Sequence, residues 1–237
     1  MSKLILYDLP TKEPRRCWTY NPWKTRLVLN YKGIDYETEW TAYPDIEGKF
    51  KSFGIPPGES GTPYTIPAIK VGDHYVMDSK SIAHELEALH PSPPLYLDDL
   101  VLAEVETAFR GVWGPLYQGI IPKVPRRLLP ERDKEYFVRT REETLGAPLE
   151  ELEKTKGGEG AWKEAEPAIR EWAEILKREV GPFVKGKTVS YADFVIVSFL
   201  QFVKTIGDDV FDKFVGYDQT FKDIYEASAD WVKRDDH

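Results

Sequence analysis

Residues 74–117 read HYVMDSKSIAHELEALHPSPPLYLDDLVLAEVETAFRGVWGPLY, and the fold turns on the change of period inside them. HYVM, at 74–77, is a short β-type run. After Asp78-Ser79 the apolar residues Ile82, Ala83, Leu86 and Leu89 fall on one side of a helix. Pro91-Ser92-Pro93-Pro94 ends that helix and reads as a linker. From Asp98 onward strands vanish, and apolar positions recur at helical spacing in five segments: 98–118, 131–155, 164–180, 190–206 and 217–234. A mixed first domain over residues 1–90 and an all-helical second domain over 98–237 are therefore expected, with 91–97 between them.

Working back from His74, residues 68–71 form a strand that pairs with 74–77 through Gly72-Asp73. Glycine at the first central position suits a type II′ turn. Residues 3–8 (KLILYD) are an apolar run that reads as a buried strand, followed by a polar, Pro-containing loop at 9–20. Asn21-Pro22 supplies an N-cap and a proline at the first helical position. The helix runs through Leu27, Val28 and Tyr31 and stops at Gly33, a fitting left-handed C-terminal residue. Residues 35–40 (DYETEW) alternate and form the next strand, giving a right-handed βαβ unit with parallel strands. A short helix is expected around 46–53 before Pro and Gly break it. The order is βαβ-ββα.

In the second domain, Ser190-Tyr191-Ala192-Asp193 places an acid at the third helical position after a serine cap, a variant of the capping box. Val189 and Phe194 occupy the hydrophobic-staple positions. The VIVSFL run that follows is apolar nearly all round, so it is expected to be the domain's central buried helix.

The chain has 237 residues, 41% of them hydrophobic and 30% charged, a globular composition with room for two ordinary domains. Its net charge of −8 argues against nonspecific nucleic-acid binding, which needs a basic face. The basic cluster at 123–127 reads as a solvated loop. Cys17 is the sole cysteine, which excludes an intrachain disulfide and a Cys-based zinc site. His74, His84, His90 and His237 show no metal-binding spacing, so no metal is expected. The start MSKLILYDLP is no signal peptide, and no segment approaches bilayer length. The chain reads as cytosolic, with no membrane partner. Seven Trp, thirteen Tyr and eleven Phe are enough for a core and for a pocket that takes flat ligands.

This organisation resembles the soluble glutathione transferases, across essentially the whole chain. Three local features carry the resemblance. One is the loop into the first helix, Thr19-Tyr20-Asn21-Pro22-Trp23-Lys24-Thr25-Arg26, continuing to Lys32-Gly33. Another is Tyr64-Thr65-Ile66-Pro67 followed by Asp78-Ser79, and the third is Ser190-x-x-Asp193. The NPWKTR run and Phe137-Val138-Arg139-Thr140-Arg141-Glu142-Glu143 look like the etherase-related fungal group, which is similar to bacterial β-aryl-etherases.

The resemblance implies a thioredoxin-like first domain, glutathione as co-substrate, a hydrophobic aromatic second ligand and a homodimer. It implies a cis Ile66–Pro67 bond, with the Ile66 backbone pairing with the cysteinyl backbone of glutathione. Asp78-Ser79 would hold the γ-glutamyl end, because a helix N-terminus offers free N–H groups to a carboxylate. The bland reading is that one of the two merely caps its helix, and both roles use the same geometry. Lys49, Lys51 and Lys70 are open candidates for the glycyl carboxylate.

Glutathione chemistry needs a thiolate, and a free thiol with a pKa of about 8.5 is only slightly ionised at neutral pH. One hydrogen bond to the charged sulfur contributes about 1.5–3 kcal/mol, enough for the required shift. The family's activating position falls on Thr19, where the related group usually has Ser-Pro and this chain has Thr19-Tyr20. Threonine keeps the hydroxyl but restricts its rotamer. Asn21 is the alternative donor, or simply the helix cap. Tyr20 carries a phenol at the wrong position for the classes that use one. Cys17, two residues before, is either a buried hydrophobe or a thiol-transferase cysteine.

Phe109, Trp113 and Tyr117 share one helical face, as core or as pocket. Gly111, Gly114 and Gly119 suggest room for a ligand or a loosened helix, and Trp18 and Trp23 bracket the site in sequence. The expected activity is addition of glutathione to an aromatic electrophile, or thiolate cleavage of an aryl ether. The alternative is a noncatalytic ligand carrier with a vestigial glutathione site.

Overall fold

The structure, a computed structural model, describes residues 3–58 and 61–235. Strands β1 (Leu4–Asp8), β2 (Tyr36–Trp40), β3 (Ala68–Val71) and β4 (His74–Met77) form one mixed sheet in the order β2-β1-β3-β4. β1 pairs with β2 in parallel, Leu4 opposite Tyr36, and with β3 antiparallel, Tyr7 opposite Ala68. β3 and β4 are a hairpin in which φ is positive at Gly72 and not at Asp73, the pattern of a type II′ turn. Helix α1 (Tyr20–Tyr31) makes the crossover from β1 to β2, α2 (Ile46–Ser52) follows β2, and α3 (Ser79–Leu89) follows the hairpin.

Helix α1 begins earlier than Asn21-Pro22 suggests. Thr19, in extended backbone (φ −88°, ψ 144°), is the N-cap, so Asn21 lies inside the first turn and is not the cap. A first-turn amide has no intrahelical acceptor, so Pro22 costs the helix no hydrogen bond there. The helix ends at Gly33, whose φ of +65° is the left-handed value expected of it.

From Leu100 onward the regular elements are helical: α4 (Leu100–Ile120), α5 (Lys123–Arg127), α6 (Glu131–Leu145), α7 (Leu149–Lys156), α8 (Glu159–Lys177), α9 (Tyr191–Ile206), α10 (Asp208–Val215), α11 (Thr220–Ala227) and α12 (Ala229–Val232). The expected segment 131–155 is two helices, because Gly146 turns left-handed (φ +73°) and Pro148 blocks continuation. Segment 217–234 is likewise two short helices, and α10 lies in the interval between the expected segments 190–206 and 217–234. The basic cluster at 123–127 is α5 and not a loop. Arg126 and Lys123 both bind Glu153 of α7, and Arg127 pairs with Asp209 of α10 at 2.7 Å.

Helix α9 is the centre of the second domain, buried along most of its length. Ser190 donates its N–H (2.7 Å) and its hydroxyl (2.8 Å) to Asp193 Oδ2, while Val184 N–H donates to Oδ1 (2.6 Å). Burial nonetheless raises the Asp193 carboxyl to about 6. The glycines expected to leave room for a ligand serve close packing instead. A Cβ on Gly111 would lie 2.8 Å from the Ala168 Cβ of α8, and one on Gly119 would lie 2.6 Å from the Gly157 Cα. Gly114 alone faces open space.

The two halves are tied by hydrogen bonds that are buried or partly buried. Tyr191 donates its hydroxyl to the Ser79 carbonyl (3.3 Å), and its N–H bonds to the Leu95 carbonyl (2.8 Å). The Asn30 side-chain amide of α1 donates to the carbonyls of Trp231 (2.6 Å) and Arg234 (3.2 Å), and Cys17 N–H donates to Asp235 O (3.1 Å).

Candidate functional site

Where β1 ends and α1 begins, the chain must turn over a fully buried ion pair. Asp8 accepts Leu9 N–H at 2.7 Å through one oxygen and Arg26 Nε at 2.8 Å through the other. Arg26 also donates to Thr38 Oγ1 (2.8 Å) and lies over the ring of Trp40. A buried pair of this kind holds only while both charges keep their partners. It fixes α1 against β1 and β2, and so fixes where residues 18–21 stand. The sequence reading missed this pair because the residues are eighteen positions apart.

Above this platform opens a cavity of about 610 Å³, within the range of small-molecule sites. Its walls come from the start of α1, residues 62–66, and helices α4, α6 and α9. Thr19, Asn21, Ile66, Trp18, Phe109, Trp113 and Tyr117 all line it. Pro67, Asp78, Ser79 and Trp23 are not among its lining residues. Trp23, on the buried face of α1, is completely buried, so its expected place beside a substrate is corrected: it is a core residue. The stripe on α4 is both pocket wall and packing surface. Phe109 stacks on Tyr20 at 4.5 Å and 19°, and Trp113 meets Tyr117 edge-on at 5.2 Å.

Thr19 Oγ1 is sealed from solvent and has no hydrogen-bond partner among the described residues. As an N-cap side chain it makes no capping bond to its own helix. A buried hydroxyl left unbonded costs about 1–3 kcal/mol, so its persistence calls for an explanation. Asn21 is exposed at the rim of the same cavity. The Tyr20 phenol, pushed up by burial, stays protonated under its stack on Phe109. Lys24 Nζ sits 4.5 Å from the Tyr20 ring, and burial lowers its ammonium to about 8.

Cys17 is buried, and burial, followed by the nearby Asp8 carboxylate, pushes its thiol well up. A thiol so placed resists ionisation, the opposite of what a thiol-transferase cysteine needs.

The Ile66–Pro67 peptide is cis. No backbone bond among the described residues engages the Ile66 N–H or carbonyl, which leaves both groups open beside the cavity. Asp78 caps α3, accepting Lys80 N–H (2.9 Å) and Ser81 N–H (3.1 Å). Its φ of +80° with ψ of 129° is strained for a residue with a Cβ, at a cost of about 1–3 kcal/mol, and strain of that size concentrates at functional positions. Ser79, the first residue of α3, is buried.

None of the three candidate lysines lines the cavity. Lys49 is engaged by Glu39 (2.5 Å) and Thr41 (2.9 Å), Lys51 by Glu47 (2.6 Å), and Lys70 lies over the Tyr75 ring. His74 pairs with Glu85 (2.9 Å), His84 and His90 are exposed, and His237 lies outside the described residues. Among the lining residues given no role from sequence is Arg141 of α6, whose guanidinium lies 4.7 Å over the Phe137 ring.

The family model described as glutathione S-transferase, C-terminal domain, matches residues 103–229, and the one for the N-terminal domain matches residues 21–89. The glutathione S-transferase-like protein ustS of Aspergillus flavus is 33% identical, over 98% of this chain and 92% of that one. The crystal structure of glutathione transferase GSTFuA3 from Phanerochaete chrysosporium superposes with a TM-score of 0.86 at 30% identity, covering 98% of both chains. A glutathione S-transferase of Ceriporiopsis subvermispora, solved in complex with glutathione, superposes with a TM-score of 0.87 at 29% identity, covering 97% of this chain and 98% of that one. The chain belongs to the glutathione S-transferase family.

Proposed function

We propose that this glutathione S-transferase ionises the glutathione thiol at the start of α1 and delivers it to an aromatic electrophile, or to the carbon of an aryl ether, in the cavity above. One observation carries the reading: the Thr19 hydroxyl stands at a helix N-terminus beside an aromatic cavity, with no partner of its own. A thiolate arriving there would accept the hydroxyl's hydrogen bond and meet the positive end of the α1 dipole. In this reading the open N–H and carbonyl of Ile66 pair with the cysteinyl unit. The γ-glutamyl carboxylate goes to the N-terminus of α3 at Ser79, beside the strained Asp78.

The chemistry is nucleophilic. Sulfur attacks the electrophilic carbon and forms a C–S bond, the halide or aryl oxide leaves with the bonding pair, and the thiol proton has already gone to solvent. The aromatic walls hold the acceptor flat and keep water out, which sharpens every electrostatic contact at the sulfur.

Steady-state assays with glutathione against aryl halides, isothiocyanates and β-aryl ethers test the proposal. Turnover that saturates in both substrates supports it, and its ether arm stands or falls on release of the aryl alcohol. A second reading, a hydrophobic-ligand carrier, is favoured by the sealing of the Thr19 hydroxyl from solvent. No turnover across the panel, together with tight binding of a hydrophobic dye, establishes the carrier instead.

A further inference from the structure

The cavity's charges are unequal in their pairing. Two charged residues are among those that line it, Glu47 of α2 and Arg141 of α6. Glu47 is held by Lys51 at 2.6 Å. Arg141 has no carboxylate partner among the described residues. Its Nη1 donates to the Thr140 hydroxyl at 3.1 Å, and its plane lies over Phe137 (4.7 Å) and, further off, Tyr43 (5.8 Å).

The acids near it in sequence are committed elsewhere. Glu142 accepts Leu149 N–H (2.9 Å), Glu143 pairs with Arg139 (3.4 Å), and Asp133 accepts Tyr43 N–H (2.6 Å). A guanidinium stacked on a ring keeps its edge of N–H donors free, and that planar edge matches a carboxylate bidentately.

We infer that the aromatic acceptor of this cavity carries a carboxylate, received by Arg141 while the ring lies against the α4 stripe. The inference rests on the transferase reading for its chemistry, but the binding preference it states does not. A carboxylate has a second source, the glycyl end of glutathione itself. The two differ in which molecule's affinity depends on Arg141.

The test uses 4-chloro-3,5-dinitrobenzoate and its methyl ester, aryl chlorides of the same reactive skeleton that differ in charge. With either, sulfur bonds to the ring carbon and chloride departs with its electron pair. With each kcat/KM divided by the compound's uncatalysed rate with glutathione thiolate, because the ester is intrinsically the more reactive, the acid is expected to exceed the ester by about ten- to a hundredfold, the range of a hydrogen bond to a charged group. Arg141→Met should collapse that ratio towards one, and Arg141→Lys should restore part of it. A ratio unchanged in Arg141→Met overturns the inference. So does a rise in the glutathione KM with the ratio intact, because Arg141 then serves the glycyl carboxylate.

The binding arm needs no turnover. Quenching of tryptophan fluorescence by unreactive 3,5-dinitrobenzoate and by its methyl ester gives the same comparison of acid with ester. If no acceptor turns over, the transferase reading fails, while tighter binding of the acid that is lost in Arg141→Met still supports the anion site. Equal binding of acid and ester by the parent protein refutes it.

Discussion

Replacing Thr19 by valine keeps its volume and branching and removes only the hydroxyl. Because that oxygen is buried and unbonded, its loss should leave the fold no weaker. Relief of an unsatisfied polar group contributes up to about 1–3 kcal/mol towards stability. The effect on chemistry has the opposite sign. A hydrogen bond to a charged sulfur is worth about 1.5–3 kcal/mol, which at 1.36 kcal/mol per pKa unit is a rise of roughly 1–2 units in the bound thiol. Near neutral pH the thiolate fraction, and kcat with it, should then fall about ten- to a hundredfold. The binding constant for glutathione should change little, since the hydroxyl discriminates between thiol and thiolate rather than holding the tripeptide. A pH–rate profile with an aryl halide, beside a thermal melt, measures both. The expected pair is an acidic limb displaced upward by one to two units and a Tm equal to or above the parent's. A structural cap would show the reverse pattern, about 1 kcal/mol of lost stability with turnover intact. Unchanged turnover in Thr19→Val and Thr19→Ala would refute the assignment and move activation to Asn21 or the backbone N–H groups of α1.

Asp193 gives the protein an unusual acid response. Its folded pKa of about 6 lies above the usual carboxylate value, so this group's contribution is complete below pH ~4 and is lost as pH rises through about 6, up to ~3 kcal/mol in all. Urea unfolding between pH 4 and 7 should show that slope, and Asp193→Asn should flatten it. Glu153 has the opposite sense. Arg126, with Lys123, lowers its carboxyl to about 2, so its contribution is present above pH ~4.5 and lost as pH falls towards 2. Glu153→Gln should cost about 1–2 kcal/mol near neutrality and little at pH 2, as read from acid-unfolding curves. Gly119→Ala drives a Cβ into the Gly157 backbone and should cost about 1–3 kcal/mol, lowering Tm by roughly 2–4 °C for each.

How much of this was legible in the sequence depended on whether the signal was local. The type II′ hairpin at Gly72-Asp73, the stop at Gly33 and the Ser190–Asp193 cap are written in adjacent residues, and the structure shows each. The start of α1 was misplaced because Asn21-Pro22 mimics a cap, although proline is tolerated anywhere in a first turn. Leu145, Leu149 and Leu152 keep helical spacing across the break between α6 and α7, and this hid a break that Gly146 and Pro148 announce. Gly111 and Gly119 of α4 read as ligand space because their partners, Ala168 of α8 and Gly157 in the turn before it, lie far along the chain. Trp18, Phe109, Trp113 and Tyr117 line the cavity and Trp23 does not, while Tyr43, Tyr136, Phe199 and Phe202 line it without any local mark in the sequence. The unpaired state of Arg141 was not legible either, since it depends on where every neighbouring acid points.

The grip of α1 on residues 231–235 also has a consequence for the order of synthesis. Asn30 finds the Trp231 carbonyl 201 positions later, and Cys17 N–H finds its acceptor at Asp235. A nascent chain thus holds an α1 that lacks these hydrogen bonds until residues 231–235 are made, although the sheet it packs on is complete by Met77. Domains made early usually settle early. Here α9 covers α1 first and residues 231–235 add their hydrogen bonds last, so a chain stopped short of Trp231 carries α1 without that clasp.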